Sequence, residues 1–346
     1  MSSTISSFSL SSILRQTVQT AQSNLATDEQ EMSTGVYANI GLTLGAQTSQ
    51  DVALRAQQSL LQTISASNAT VSTTLSSTQN ILSNLQSTGQ TFLQSLVQGT
   101  NNDSTANVLQ STAMDNLQSL LSQLNTNVNG EFLFGGINSS VAPMTSYVTG
   151  AANQQSVANA FQSTFGFSQS SPSVSTITAS QMQSFLTTQF PTLFQGADWT
   201  SNWSAASDVT NVSQISPSQT VTTSVSANQT AFQQLAQAYT MVADLGTSNL
   251  NTDAYNTVVT QAESLMQSAL AGLTNIQGGL GTAQAAITSA DTYMSTQLNT
   301  LSTQIGALEN VDTYAVSSQE TELQTQIETA YELTSQLQQL SLTKYL

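Results

Sequence analysis

Two groups of closely spaced carboxylates are the side chains of this chain that could support acid–base chemistry. They are Asp28, Glu29 and Glu31 near the N-terminus, and Glu320 and Glu322 near the C-terminus. Paired carboxylates act as general acid and general base when burial and neighbouring charges shift their pKa values. The same spacing is typical of a solvated helix face, which we favour here, and we therefore predict no catalytic residues.

Composition removes most other kinds of chemistry. The chain contains no Cys and no His, which excludes thiol nucleophiles, imidazole bases, disulfides and zinc sites of the usual ligand types. No glycine-rich segment has the phosphate-binding loop pattern, and no EF-hand calcium loop is present. The sequence therefore predicts a protein that is not an enzyme and that has no cofactor-binding or metal site.

Charge restricts the possible partners. The 346 residues carry a formal net charge of −16, and the only basic side chains are Arg15, Arg55 and Lys344. Binding to nucleic acid or to anionic lipid requires clustered Lys and Arg. No apolar run approaches the roughly 20 residues of a membrane span, and the first residues lack the pattern of a secretory signal peptide. We expect no nucleic-acid partner and no membrane insertion.

Helical periodicity organises much of the chain. Apolar residues recur at steps of three and four from Leu61 to Leu96, which predicts a helix over about 50–98 and a second helix beginning at Asp103 or Ser104. A similar stripe runs from Leu273 to Leu308. Inside it, the stretch 278–281 reads Gly-Gly-Leu-Gly, which indicates either a local kink or the close approach of a neighbouring helix. A further helix is predicted over about 218–246, after Pro217.

Both ends of the chain carry apolar stripes of the same kind. The residues that we predict to form an assembly interface are Leu14, Val18, Leu25, Leu323, Ile327, Leu337 and Leu340. A single amphipathic helix is marginally stable in water, so these stripes must pack against each other or against other subunits. We favour burial in an assembled core, and an intramolecular coiled coil without oligomers is the alternative.

The middle of the chain has a different composition. Residues 148–216 are rich in Phe and Trp and contain two of the four prolines, Pro172 and Pro191. They predict a small inserted α+β or β-rich domain, with a short helix over about 180–190.

The predicted fold is mainly α: an elongated rod of long helices with paired terminal coiled-coil helices, a β-hairpin and the inserted domain. The predicted parts are a terminal helical core domain over 1–45 and 309–346, a long-helix rod domain over 46–147 and 217–308, and an outer domain over 148–216.

A short apolar segment, NGEFLFGGINSS, marks the predicted boundary between the rod and the inserted domain. Phe132 and Phe134 would point to one face of a strand, and Gly135 and Gly136 would permit a turn. We predict a hairpin near 130–147. The two phenylalanines would either pack on helix ends or be exposed to a neighbouring subunit.

Three segments carry short motifs: Met-Ser-Thr-Gly at 32–35, the segment at 129–136 quoted above, and Leu-Ser-Leu-Thr-Lys-Tyr-Leu at 340–346. Together they resemble motifs of the flagellin superfamily, and within it they most resemble those of the hook–filament junction proteins. Residues 32–35, Met-Ser-Thr-Gly, resemble the turn after the first helix, and residues 129–136 resemble the Gly-x-Tyr/Phe-Leu-Phe-x-Gly segment that begins a hairpin. Residues 340–346 resemble the Leu-Ser-Leu-x-x-Tyr ending. The chain departs from the superfamily at Val36, where an Arg is common, and at 41–50, which lacks the usual Asp-containing loop.

The resemblance implies a structural subunit of the bacterial flagellum that joins hook to filament by helical self-assembly. Its partners would be copies of itself, the adjacent hook-associated protein, flagellin and an export chaperone on the C-terminal helix. It implies type III export and an extracellular location, with a role in motility. Flagellin, the filament subunit itself, is the alternative, followed by a non-flagellar secreted coiled-coil surface protein.

Overall fold

The computed structural model describes the backbone of residues 7–99 and 103–342 and the side chains of residues 9–99 and 106–337. The mainly α prediction is confirmed, because long helices dominate and each of the two sheets is a single antiparallel strand pair. The helices are α1 Ser7–Thr34, α2 Ile40–Leu44, α3 Thr48–Gly99, α4 Asp103–Leu124, α5 Ala152–Phe165, α6 Ala179–Thr188, α7 Gly196–Asp198, α8 Thr230–Asp244, α9 Thr252–Glu309 and α10 Thr313–Leu342. The strands are β1 Asn127–Val128, β2 Glu131–Phe132, β3 Val212–Ser216 and β4 Gln219–Thr222.

The chain divides into two compact units. The terminal unit comprises Met1–Thr63 with Met294–Leu346, and the central unit comprises Ile64–Tyr293. This division differs from the three predicted parts, because side chains of 148–216 share one continuous buried core with the helices before and after them in sequence.

In the terminal unit, α1 packs along α10. A turn at Gly35, where the backbone φ is 74°, ends α1. That turn is joined to the segment between α9 and α10: Tyr37 N donates to the Glu309 carbonyl at 2.9 Å, and Val311 N donates to the Gly35 carbonyl at 3.1 Å. The turn after the first helix therefore connects the end of α1 to the segment just before α10.

In the central unit, α3 and α9 are connected by side-chain amides as well as by apolar contacts. Gln79 Nε2 donates to the Gln277 carbonyl at 2.8 Å, and Gln277 Nε2 donates to Ser83 Oγ at 3.3 Å. Helix α8 lies inside this unit, since eleven of its fifteen residues are buried. Its Tyr239 ring packs edge-on against Phe92 of α3, with ring centroids 5.1 Å apart.

The glycines of the α9 stripe do not form a close helix contact. No atom lies within 4 Å of the position that a Cβ would take at Gly278, Gly279 or Gly281, and α9 runs through them without interruption. The close approach occurs about two turns earlier. A Cβ on Gly272 would lie 2.8 Å from Ala231 Cβ at the start of α8.

The helix predicted from residue 218 is wrong in its first part. Residues 212–222 form the β3–β4 hairpin around Pro217, and α8 begins only at Thr230. The β-branched residues of this segment favour a strand, and a carbonyl contact holds it: Asn68 Nδ2, on α3, donates to the Ile215 carbonyl at 2.9 Å and to Asp291 Oδ1 at 2.7 Å.

Residues 148–216 form helical turns around a row of aromatic rings. The short helix predicted over about 180–190 is present as α6, which begins with a capping box between Thr178 and Gln181. Trp203 stacks on Tyr147 with centroids 5.4 Å apart. The Tyr147 hydroxyl, immediately before this segment, donates to Oδ2 of Asp244, the last residue of α8, at 2.5 Å.

Candidate assembly surface and hairpin junction

The structure places the predicted assembly residues on α1 and α10. Leu14, Val18 and Leu25 of α1 and Ile327 and Leu337 of α10 are half-buried. Partial burial is expected of a two-helix pair, because each helix covers only one side of its partner's apolar stripe.

Other side chains of the pair are more deeply buried. Ala21, Leu323 and Ala330 are buried, and Gln22 Nε2 donates to the Tyr331 hydroxyl at 3.1 Å. The side chain of Leu340 lies outside the described residues. The pairing of the two helices within one chain leaves part of the stripe available for contact with another molecule.

A second set of apolar side chains on these helices is exposed, and of these only Leu333 lay in the apolar stripe predicted for the C-terminal helix. They are Leu10, Ile13, Tyr314, Tyr331 and Leu333, with exposed fractions between 38% and 85%. Ile13 and Leu323 also line a groove of about 320 Å³ between α1 and α10. The signal in the sequence was the width of the stripe, since Ile13 adjoins Leu14 and therefore extends the apolar face around the helix.

One carboxylate on α1 is buried in the pair rather than solvated. Asp28 is 6% exposed, and its Oδ2 atom has no hydrogen-bond partner in the part of the chain that the structure describes. Burial raises its pKa, and the negative charges of Glu31 and of Glu320 on α10 raise it further. The prediction of a solvated acidic face is therefore wrong for Asp28.

A second buried carboxylate group lies where α3 and the end of α9 meet in the terminal unit. Arg55 Nε donates to Glu309 Oε1 at 2.6 Å, and its Nη2 contacts Glu309 Oε2 as well. Arg55 Nε also lies 3.6 Å from Asp51 Oδ2. Both carboxylates are buried, whereas the Arg55 side chain is half exposed. Burial and the adjacent Glu309 raise the pKa of Asp51, while the hydrogen bond to Glu309 raises the pKa of Arg55. Sequence reasoning missed this group because 254 residues separate the two partners.

The hairpin lies earlier than the predicted range of 130–147. Strands β1 and β2 pair around Asn129 and Gly130, whose φ angles are 55° and 87°. Positive φ at both central residues is typical of the tight turns that connect two-residue hairpins. No return strand forms near Pro143 in the described structure. The chain instead makes isolated antiparallel bridges at Gly135 and Met144 with residues 226 and 204.

The two phenylalanines of this segment have different environments. Phe134 is fully buried and packs edge-on against Phe232 of α8, with centroids 5.6 Å apart, whereas Phe132 is half-buried. Gly135 and Gly136 follow. A Cβ at Gly136 would lie 2.5 Å from the Ser207 carbonyl oxygen, and its φ is 61°. This position therefore requires glycine, because the chain after β2 passes directly against residues 207–209.

No helix in the described part of the chain combines the length and the apolarity that crossing a bilayer requires.

Comparison with known proteins identifies the family. Residues 5–139 match the bacterial flagellin N-terminal helical region, and residues 263–346 match the bacterial flagellin C-terminal helical region. Together these regions cover more than half of the chain. The chain belongs to the flagellin superfamily. The flagellin regions contain the turn at Gly35, the helix pair α1–α10 and the hairpin, whereas residues 140–262 lie between them.

A solved structure shares the fold of this flagellin superfamily member. It is described as a "putative flagellar hook-associated protein from Vibrio parahaemolyticus", with a TM-score of 0.53 over 76% of this chain and 97% of that chain. The sequence identity is 12%, so the likeness shows the fold alone. No curated protein matches the chain. As a member of a structural family, the protein is an extracellular subunit of the flagellum.

Proposed function

We propose that this superfamily member joins hook to filament as a self-assembling junction subunit. The observation that carries the assembly part of this proposal is the α1–α10 pair, whose apolar stripes are only half covered within the chain. Two sequence segments favour the junction role over the filament role: the apolar segment at residues 129–136 and the ending at 340–346.

The mechanism of assembly is heterologous packing of identical subunits in a helical array. Leu14, Val18, Leu25, Ile327 and Leu337 would complete their burial against neighbouring copies. Each square ångström of apolar surface removed from water contributes about 25 cal/mol, which offsets the entropy cost of ordering the terminal helices. Leu340 belongs to the same proposed set, whereas Leu323 is already buried within the α1–α10 pair.

The remaining partners follow from the same role. A junction subunit contacts the adjacent hook-associated protein on one side and flagellin on the other. Export through the flagellar type III channel would require a chaperone that covers the apolar stripe of α10 before assembly.

Flagellin is the second candidate function, and the flagellin N- and C-terminal regions matched here favour it equally. Electron microscopy of cells that lack this protein separates the two roles. A junction subunit predicts intact hooks with filaments released into the medium. Loss of the filament protein itself from the medium would identify the chain as flagellin and overturn the junction role.

Hydrogen exchange tests the assembly mechanism independently of the cellular role. We expect α1 and α10 to exchange rapidly in the free subunit and slowly in the polymer. Strong protection in the free subunit, unchanged on mixing with its partners, would instead support the intramolecular coiled coil.

A further inference from the structure

A cavity of about 450 Å³ in the central unit is lined by side-chain amides. Five glutamines contribute to it: Gln195, Gln233, Gln234, Gln237 and Gln261. The other lining residues are Thr, Leu, Pro and Phe, so the wall contains no charged side chain. A cavity of this size falls within the range of small-molecule sites in proteins.

Three elements place these amides around one space. Helix α8 contributes Gln233 and Gln237, which are four residues apart and therefore lie on one face of the helix. Gln261 of α9 forms a second side. The turn Phe190–Phe194 forms a third, where the fully buried Phe194 provides an apolar floor.

Gln237 indicates that the cavity is built for a polar ligand. It is only 5% exposed, yet its side chain has no hydrogen-bond partner among the described residues, and its amide atoms are not among those fully sealed from solvent. Its amide must therefore open onto the cavity that it lines. Because the amide opens onto the cavity, water can hydrogen-bond to it in the free protein, and a ligand hydroxyl that reaches Gln237 can replace this water and keep the hydrogen bond. Gln195 is exposed and Gln234 and Gln261 are half-buried, so their amides are also accessible to a ligand in the cavity.

We propose that this cavity binds a neutral saccharide of one or two units. A glutamine amide offers two N–H donors and one carbonyl acceptor, and the hydroxyl and acetamido groups of a sugar both donate and accept. The absence of Lys and Arg from the wall disfavours anionic ligands. The wall also lacks the pair of carboxylates that glycoside cleavage requires, so the site would bind without hydrolysis.

The architecture disfavours a peptide in the same space. Its walls are helices and helical turns, whose backbone groups are already hydrogen-bonded, so no sheet edge is available for an added strand. All five glutamines lie between the two matched flagellin regions. The proposed site thus goes beyond hook–filament joining and does not depend on it, because the cavity is complete within a single chain.

The test is a titration of the purified, ¹⁵N-labelled full chain, observed through its glutamine side-chain amide resonances. The probes are N,N′-diacetylchitobiose and maltose. We expect saturable shifts of a small group of these resonances, with glucuronic acid and glucosamine, which are charged, causing none.

Two variants locate the binding. Gln237→Leu and Gln261→Leu each preserve side-chain volume closely and remove one amide, and each should weaken sugar binding about tenfold, the loss expected for one hydrogen bond. Gln183→Leu, on the exposed face of α6 and outside the cavity, should leave it unchanged. Because Gln237 is buried, thermal unfolding of its variant is measured too. The more exposed Gln261 provides the same test if the Gln237 variant does not fold.

Three results would overturn the proposal. The first is no saturable shift with either neutral sugar at millimolar concentration. The second is binding that the Gln261→Leu variant retains in full. The third is tighter binding of a short Gln- and Asn-containing peptide than of either sugar, which would assign the cavity to a peptide.

Discussion

At the scale of single residues, two close contacts connect segments that are far apart in the sequence. Gly136 lies against the backbone of 207–209, and Arg55 links α3 to the last residue of α9. Neither position belongs to an apolar stripe. Each connects segments far apart in sequence, so a change at either one tests the tertiary structure rather than the stability of a single helix.

Gly136→Ala should destabilise the central unit more than Gly130→Ala. Both residues have positive φ, which costs an alanine about 1 kcal/mol. Only at Gly136 does the added Cβ meet backbone atoms, the Ser207 carbonyl oxygen at 2.5 Å and the Val209 carbonyl oxygen at 2.6 Å, whereas nothing lies within 4 Å at Gly130. Urea unfolding of both variants measures the difference. Equal losses of unfolding free energy would contradict the observed packing after β2.

Arg55→Ala should lower the unfolding free energy of the terminal unit by about 1–2 kcal/mol. Removal of the cation leaves the buried Glu309 carboxylate without its main partner, but the half-exposed Arg55 side chain makes the loss smaller than for a fully buried pair. Thermal unfolding measures the effect. Arg15→Ala is the control, because Arg15 lies on an exposed position of α1. If both variants unfold alike, the Arg55–Glu309 contact contributes no stability.

At the scale of elements, the α1–α10 pair joins two helices through an interface that contains carboxylates as well as apolar residues. Asp28 of α1 is buried beside Glu31 of its own helix and Glu320 of α10. At neutral pH their mutual repulsion opposes the pairing that the apolar stripe favours. The pair is therefore expected to respond to pH.

Acidification should strengthen the α1–α10 pair. The folded-state pKa of Asp28 is raised above its unfolded value, so its protonation contributes stability that is fully present below the unfolded pKa, near 3.8. That contribution is lost as pH rises through the folded pKa. Hydrogen exchange of both helices, corrected for the intrinsic pH dependence, should show greater protection at about pH 4 than at about pH 7. Asp28→Asn should reduce this difference and increase protection at neutral pH. Glu29→Gln, at an exposed position of the same helix, should change neither.

The opposite result, weaker pairing in acid with Asp28→Asn unchanged from wild type, would show that Asp28 is not the group that controls the pair.

The same experiment bears on the scarcity of Lys and Arg in this chain. With three basic residues against nineteen acidic ones, most carboxylates have no cation to lose on protonation, which favours persistence of the fold in acid.

At the scale of the whole molecule, assembly depends on surfaces that the folded chain leaves uncovered. Ile13 of α1 and Leu333 of α10 are 55% and 45% exposed, which separates them from Leu323, whose burial belongs to the helix pair itself. Substitutions at the exposed positions should therefore change assembly while leaving the fold of the subunit intact.

Ile13→Gln and Leu333→Gln should each raise the subunit concentration needed for polymerisation by about tenfold. This corresponds to the loss of roughly 55 Å² of apolar burial at about 25 cal/mol per Å². Sedimentation and negative-stain microscopy measure the effect. Val209→Gln is the matched control, because Val209 is 59% exposed in the central unit and outside both matched flagellin regions. If all three substitutions raise this concentration equally, the exposed surface of α1 and α10 has no specific role in assembly.

The sequence by itself determined the long helices and the family. Helical periodicity is a local property, since residues three and four apart share a face whatever their tertiary partner. The stripe from Leu61 to Leu96 therefore predicted α3 closely, and the terminal stripes predicted α1 and α10. The motif at 129–136 marked a hairpin, but the hairpin turn lies at Asn129–Gly130 and not at Gly135–Gly136 as predicted.

Only the tertiary structure decided the partners of these elements. The segment after Asn211 forms the β3–β4 hairpin, and Asn68 of α3 donates a hydrogen bond to the Ile215 carbonyl within it. The helix predicted from about residue 218 therefore begins only after this hairpin. Residues 148–216 do not form a core of their own, because their buried aromatic rings belong to the same hydrophobic core as α8. The pairing of Arg55 with Glu309 cannot be predicted from a repeating pattern in the sequence. It depends on where α3 and α9 meet in the folded chain and not on the spacing of residues along either helix.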